Sequence, residues 1–216
     1  MTANTYKSNM RSHLLLYAVT DSRWAGEDGL IAQVEAAVEG GATMVQYREK
    51  NGDPEVKKAT AIRLRDICRQ KAIPLIIDDD VDLAKETGAD GVHLGQSDMD
   101  PREARKILGD SAIIGVTAKT AEQARLAQEA GADYLGSGAV FGTSTKLDTR
   151  PMSMETLRSI TEAVNIPVVA IGGIDETNID GLRGTGIAGV AVVSGIFAKP
   201  DVKSAATELK AHSMRL

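Results

Sequence analysis

The chain has 216 residues, 43% of them hydrophobic and 25% charged, with a formal net charge of −5 at pH 7. That balance excludes a disordered or fibrous protein, and the length suits one large core, since single α/β barrels run to about 250 residues. With an acidic balance and no basic block, the broad phosphate-binding field of a nucleic-acid protein is excluded, so any phosphate site has to be local.

Residues Met1 to Arg11 are polar and lack an apolar core followed by a small-residue cleavage site. We therefore expect a cytoplasmic protein, with residues 1–12 as an N-terminal extension of a single 1–216 domain. The longest apolar stretch, Ile187 to Ala198, is broken by Gly189, Ser194 and Gly195 and falls short of the roughly 20 residues of a bilayer span, so no membrane partner is expected. Strand-like apolar runs then recur at Leu14 to Thr20, Ala42 to Arg48, Pro74 to Asp79, Gly91 to Gly95, Ile113 to Ala118, Tyr134 to Val140, Pro167 to Gly173 and Gly189 to Ile196. Between the second and third, Val56, Ala59, Leu64, Ile67 and Cys68 share one side of a helical wheel, while Lys57, Arg65, Asp66 and Arg69 largely face away. The lone Cys68 can form no intramolecular disulfide and reads as core. Small-residue turns before strands, at Gly40-Gly41-Ala42, Gly88-Ala89-Asp90, Gly131-Ala132-Asp133 and Gly186-Ile187-Ala188, read as helix stops. Eight strands in so short a chain suit closure into a single (β/α)₈ barrel better than an open doubly wound sheet.

In such a barrel functional groups gather at the C-terminal ends of strands. Strand two ends in Gln46, Arg48 and Lys50 on one face, and inward cations there are costly unless an anion arrives. Strands three and four end in Asp78-Asp79-Asp80 and Gln96-Ser97-Asp98. Asp80 reads as a helix N-cap, while Asp79 and Asp98 are hard oxygen ligands suited to Mg²⁺, which takes one or two carboxylates and completes its shell with water and phosphate. The loop Thr143-Ser144-Thr145-Lys146 after strand six offers donors to oxyanions. Gly172-Gly173 after strand seven and Val193-Ser194-Gly195 at strand eight occupy the usual phosphate cradle of this fold. His13, His93 and His212 lack metal-ligand spacing, and His93 reads as a hydrogen-bonded core side chain.

The ordered fragments Tyr17-Ala18-Val19-Thr20-Asp21, Val45 to Lys50, Gly91 to Asp98, Thr143 to Lys146 and Ala170 to Ile174 resemble the thiamine-phosphate synthase family over nearly the whole chain. The resemblance implies a Mg²⁺-dependent transferase with two phosphorylated small-molecule substrates. It would condense hydroxymethylpyrimidine diphosphate with hydroxyethylthiazole phosphate and release pyrophosphate by a dissociative route. It assigns Gln46, Arg48, Lys50, Asp78, Thr117 and Lys146 to the pyrimidine diphosphate, with Arg48, Lys50 and Lys146 catalytic. It assigns Thr143, Thr145, Gly173, Val193 and Ser194 to the thiazole phosphate, and Asp79 and Asp98 to the metal. A homo-oligomer is compatible with the sequence. The chain departs from the family pattern in having Asp78 for the usual Asn, Asp80 for a frequent Arg, Ala139 for Pro and Lys119 for His. The extra carboxylate at Asp78 either repels the diphosphate or serves the metal. The alternatives are a thiazole tautomerase, whose family places a His where this chain has Lys119, and a non-catalytic barrel that binds thiazole or thiamine phosphate.

Overall fold

A computed structural model describes residues 6–25, 29–142 and 151–216. Thr143, Ser144, Thr145 and Lys146 therefore lie outside the described residues. The strands β1 (Leu16–Val19), β2 (Met44–Tyr47), β3 (Leu75–Asp78), β4 (Gly91–Leu94), β5 (Ile113–Thr117), β6 (Tyr134–Gly138), β7 (Val168–Ile171) and β8 (Gly189–Val192) pair in parallel and in sequence order. Pairing of Leu16, Tyr17 and Ala18 with Val190, Ala191 and Val192 closes the barrel. These strands read as continuous apolar runs because both faces are covered. Leu16, Ala18, Val45, Leu75, Ile77, Val92 and Leu94 face outward into a shared core with the surrounding helices. Tyr17, Val19, Met44, Ile76, Ile113, Tyr134, Val169 and Ala191 fill the interior. Tyr6, Met10 and Leu14 join that interior cluster, so the chain leading into β1, with its short helix α1 (Met10–His13), plugs the barrel floor.

The helices connecting the strands are α2 (Gly29–Glu39), α3 (Pro54–Gln70), α4 (Val81–Thr87), α5 (Pro101–Leu108), α6 (Ala121–Glu129) and α7 (Met154–Ala163). A 3₁₀ turn (Ile179–Leu182) stands in the β7 to β8 connection, and the short helix α8 (Ser194–Phe197) and α9 (Val202–Ser213) follow β8. Side-chain acceptors start most of these helices as N-caps should: Asp53 accepts from Glu55 N–H, Asp80 from Leu83, Asp100 from Arg102, Thr120 from Gln123, Ser153 from Thr156 and Asp201 from Ser204. Asp80 is thus the cap its position suggested. Gly41, Gly88 and Gly131 take positive φ just after helices, as expected of helix stops, whereas Gly186, also at positive φ, follows a 3₁₀ turn that has already ended at Leu182.

The residue after each of the first three glycine-alanine turns has a second task. Thr43 Oγ1 accepts the Leu16 N–H at 2.9 Å, Asp90 Oδ2 the Leu75 N–H at 2.9 Å and Asp133 Oδ2 the Ile114 N–H at 2.8 Å. The residues before β2, β4 and β6 thereby latch a backbone donor near the start of the strand before each, a group that costs about 1–3 kcal/mol if buried without a partner. The floor of the barrel is stitched in this way, leaving the opposite rim free for chemistry.

Two local expectations are corrected. Val56 is 63% exposed and Ala59 is also exposed; α3 covers the sheet through Ala61, Leu64 and Cys68, all fully buried, so its apolar stripe starts a turn and a half later than the wheel placed it. Strand eight ends at Val192, not Ile196, because Ser194–Phe197 is helical; a run apolar on both faces carries no alternation to mark that change. Cys68 is buried as expected, and burial pushes its thiol up to about 12. Among the described residues no helix is long and apolar enough to cross a membrane.

Candidate active site

The C-terminal rim brings cations and carboxylates together from three consecutive strands. Period-two alternation turns Gln46 and Arg48 inward from β2, and Lys50 follows two residues on. Lys50 Nζ lies 3.0 Å from Asp78 Oδ2 and hydrogen-bonds Asp79, while Arg48 Nε lies 3.5 Å from Asp78 Oδ2 and Arg48 Nη1 lies 3.8 Å from Asp21 Oδ2. Burial works to lower the Lys50 ammonium, but the bond to Asp79 and the field of Asp78 outweigh it and hold its pKa above the usual lysine range. Asp21 is held below the usual carboxylate range by the hydrogen-bonded Arg23 guanidinium.

Asp79 sits at φ 60°, in the left-handed region that an L residue rarely adopts, where the Asp80 N–H donates to the Asp78 carbonyl at 2.7 Å and Asp79 N–H donates to His93 O at 2.8 Å. Backbone of this kind collects at functional sites, where the surrounding structure sustains its cost. The turn brings Asp79 against Asp98, whose Oδ2 accepts the Gly95 N–H at 2.7 Å. Burial first, and then the adjoining Asp79 carboxylate, push the Asp98 carboxyl above its ordinary value. Two carboxylates crowded together are the donor set that a hard divalent cation relieves. Among the described residues no group of three or more His, Cys, Asp or Glu side chains could hold a metal. The pair therefore fits Mg²⁺ bound by two carboxylates, with water and phosphate for the rest, and does not fit an all-protein cage.

Below this rim lies a cavity of about 180 Å³, walled on one side by Gln46, Arg48, Asp78, His93, Thr117 and Lys119 and on the other by Gly172, Gly173, Val193 and Ser194. Gly173 is at φ 66°, and a Cβ there would lie 2.3 Å from the Gly142 carbonyl oxygen, so only glycine lets this wall pack against the chain that follows β6. The Asn178 amide nitrogen holds the Gly173 carbonyl at 2.8 Å. A second cleft adjoins Gly173, Ser194 and Gly195 and is lined by Lys199, whose Nζ is held 2.6 Å from Glu176 Oε1.

The rim thus carries cations paired with carboxylates, and it faces a wall of small residues across the cavity. The family model described as thiamine monophosphate synthase matches residues 16–196. The chain belongs to that family. It is 47% identical over 194 residues to the thiamine-phosphate synthase of Ruminiclostridium cellulolyticum, covering 90% of this chain and 92% of that one. It is 46% identical over 90% of its length to the thiamine biosynthesis bifunctional protein ThiED of Geobacter sulfurreducens, of which it spans only 39%. Among solved structures, the thiamine phosphate pyrophosphorylase from Pyrococcus furiosus superposes with a TM-score of 0.88 at 40% identity, covering 95% of this chain and 98% of that one. The 3-hexulose-6-phosphate synthase barrel, at 18% identity and a TM-score of 0.68, shares the fold alone.

The chain is thus a transferase of thiamine biosynthesis, and most of its anticipated site residues meet in one place. Gln46, Arg48, Asp78 and Thr117 line one wall of the cavity, Gly173, Val193 and Ser194 line the other, and Lys50, Asp79 and Asp98 cluster at the rim. The remaining anticipated residues, Thr143, Thr145 and Lys146, fall outside the described residues. Asp78 pairs with both Lys50 and Arg48. Two residues escaped the sequence reading: Tyr134, buried in the barrel interior, and Lys199, which lines the second cleft. His93 is the hydrogen-bonded interior side chain that the sequence suggested, and Tyr134 and Thr117 are among its partners.

Proposed function

We propose that this synthase joins 4-amino-2-methyl-5-(hydroxymethyl)pyrimidine diphosphate to 4-methyl-5-(2-hydroxyethyl)thiazole phosphate, forming thiamine phosphate and releasing pyrophosphate. The observation that carries the reading is the division of the site: Arg48 on one wall of the cavity with Lys50, Asp79 and Asp98 clustered at the rim beside it, and Gly172, Gly173, Val193 and Ser194 on the opposite wall. Asp79 and Asp98 are the residues that would hold Mg²⁺, whose contribution when bound is to neutralise charge on the diphosphate. Arg48 and Lys50, joined by Lys146, stabilise the negative charge that grows as the C–O bond to pyrophosphate breaks. The electron pair leaves with the diphosphate, and the thiazole nitrogen supplies the pair that forms the new C–N bond to the pyrimidine methylene. No protein nucleophile takes part. Gly173 and Ser194 hold the thiazole phosphate so that its nitrogen meets the cation as it forms.

The test separates the two halves of the site. Arg48→Ala and Lys50→Ala are expected to lower turnover by about 10²-fold, the usual scale for removing a preorganised group that meets developing charge, with little change in affinity for thiazole phosphate. A loss confined to thiazole affinity would reverse the assignment of the two walls.

A further inference from the structure

Five polar side chains cross the barrel interior in an unbroken line. Gln46 Nε2 lies 2.7 Å from Tyr17 Oη, Tyr17 Oη 2.9 Å from Tyr134 Oη, Tyr134 Oη 3.0 Å from His93 Nδ1, and His93 Nε2 3.0 Å from Thr117 Oγ1. Both ends, Gln46 and Thr117, line the cavity. We propose that Tyr134 is a positioning residue for the transferase: it relays the donor direction set by Gln46, fixes His93 as the Nε2–H tautomer and leaves the Thr117 hydroxyl hydrogen to be donated into the cavity. The proposal rests on the reading above that the pyrimidine substrate lies between Gln46 and Thr117.

The direction follows from counting hydrogens. An amide nitrogen only donates, so the Tyr17 oxygen accepts from Gln46. The one Tyr17 hydrogen then goes to its other partner, Tyr134, and the Tyr134 hydrogen goes on to His93 Nδ1. An accepting Nδ1 puts the proton of a neutral ring on Nε2, which donates to Thr117 Oγ1. In the reverse direction the Tyr17 oxygen would accept from Tyr134 as well as from Gln46, and its own hydrogen would have no acceptor among the described residues although Tyr17 is 1% exposed. A buried donor left in that state is costly, so the forward direction wins. Burial pushes both phenols above their ordinary pKa, Tyr134 further through its neighbour Tyr17, so both keep the hydrogens the relay needs.

The surrounding fold makes room for this line. Gly115 is the register partner of Tyr134 on the adjacent strand β5, and a Cβ there would lie 2.1 Å from Tyr134 Cζ and 2.4 Å from its hydroxyl oxygen. The rings of Tyr17 and Tyr134 meet edge-on with centroids 5.9 Å apart, which fixes both phenols at the barrel axis. The two tyrosines are 117 residues apart in the chain and meet only through closure of the barrel.

The decisive measurement needs no substrate. In the wild-type protein labelled with ¹⁵N-histidine at mildly alkaline pH, His93, assigned by loss of its signals in His93→Gln, is expected to show a protonated-type shift on Nε2 and an unprotonated-type shift on Nδ1. In Tyr134→Phe, which keeps the ring and removes only the hydroxyl, that bias is expected to collapse toward a mixture of tautomers. The kcat/KM for the pyrimidine diphosphate should then fall about three- to tenfold, the scale of one neutral hydrogen bond, with the KM for thiazole phosphate unchanged. Thr117→Val should give a similar loss, and the double variant should lose little more than either alone. A wild-type Nδ1–H tautomer, or a tautomer unchanged in Tyr134→Phe, would overturn the proposal even in a fully active enzyme. Absence of thiamine phosphate synthesis by the wild type would instead overturn the functional reading, while the tautomer still decides the direction of the relay.

Discussion

Replacing Asp78 by Asn tests how this chain manages charge at its rim. Asp78 sits 3.0 Å from Lys50 and 3.5 Å from Arg48, so it neutralises the two cations assigned to the diphosphate and competes with the substrate for them. Coulomb's law at an effective dielectric of about 20 puts a ceiling of about 5 kcal/mol on the closer pair. The Lys50 side chain is 47% exposed, however, and water screening brings such pairs to about 1 kcal/mol or less. Asp78→Asn should therefore lower the KM for the pyrimidine diphosphate about fivefold. The variant should keep at least about half of kcat, because charge growing on the leaving group still meets both cations. Stability should change by less than about 1 kcal/mol, since Lys50 retains Asp79 and Arg48 retains Asp21. Steady-state kinetics with varied pyrimidine diphosphate and saturating thiazole phosphate and Mg²⁺ gives the answer. A raised KM for the diphosphate together with a raised Mg²⁺ requirement would refute the reasoning and make Asp78 a metal ligand.

Asp98 carries a pH signature. Its carboxyl is pushed up in the folded protein, so in metal-free enzyme its contribution to stability is full below the ordinary carboxylate value of about 3.9 and is lost as pH rises through the raised value. Mg²⁺ should accordingly raise the Tm at neutral pH and lose that effect as the pH falls to about 4, and Asp98→Asn should raise the metal-free Tm at neutral pH and abolish the Mg²⁺ shift; an equal Mg²⁺ shift in Asp98→Asn would place the metal elsewhere. Ser194→Asp puts a negative charge into the cradle beside Gly173 and should weaken thiazole phosphate at least about tenfold by charge repulsion. Titration calorimetry giving unchanged affinity would show that the phosphate binds away from this wall.

Much of this architecture is legible in the sequence because the signals are local. The third, fourth and seventh apolar runs end at Asp79, Gly95 and Gly173, which in a barrel marks the address of the site; Arg48 and Lys50 then follow from period-two alternation alone. Asp80 is a cap for local reasons too, and behaves as one. The line that joins Tyr134 to His93 was opaque for the opposite reason. Their partners, Tyr17 and Thr117, come from other strands, and nothing near residue 134 in sequence signals a phenol aimed at the barrel axis except the distant Gly115. The second role of Asp90 and Asp133, latching neighbouring strands, was hidden within turns that read only as helix stops. Lys199 lies on the connection after α8, where no periodicity points into a cleft. The misplaced stripe of α3 and the overlong strand eight both arose where apolar residues continue past the end of the face they belong to.

The central claim is that one cavity couples loss of a diphosphate to capture by a thiazole. The most direct measurement incubates the enzyme with hydroxymethylpyrimidine diphosphate, hydroxyethylthiazole phosphate and Mg²⁺ and follows both products by mass spectrometry and a pyrophosphate assay. Thiamine phosphate and pyrophosphate are expected in equal amounts, only with both substrates present, and neither after chelation of the metal. Isomerisation of a thiazole carboxylate phosphate by the same protein, with no thiamine phosphate formed from the two substrates, would contradict the claim.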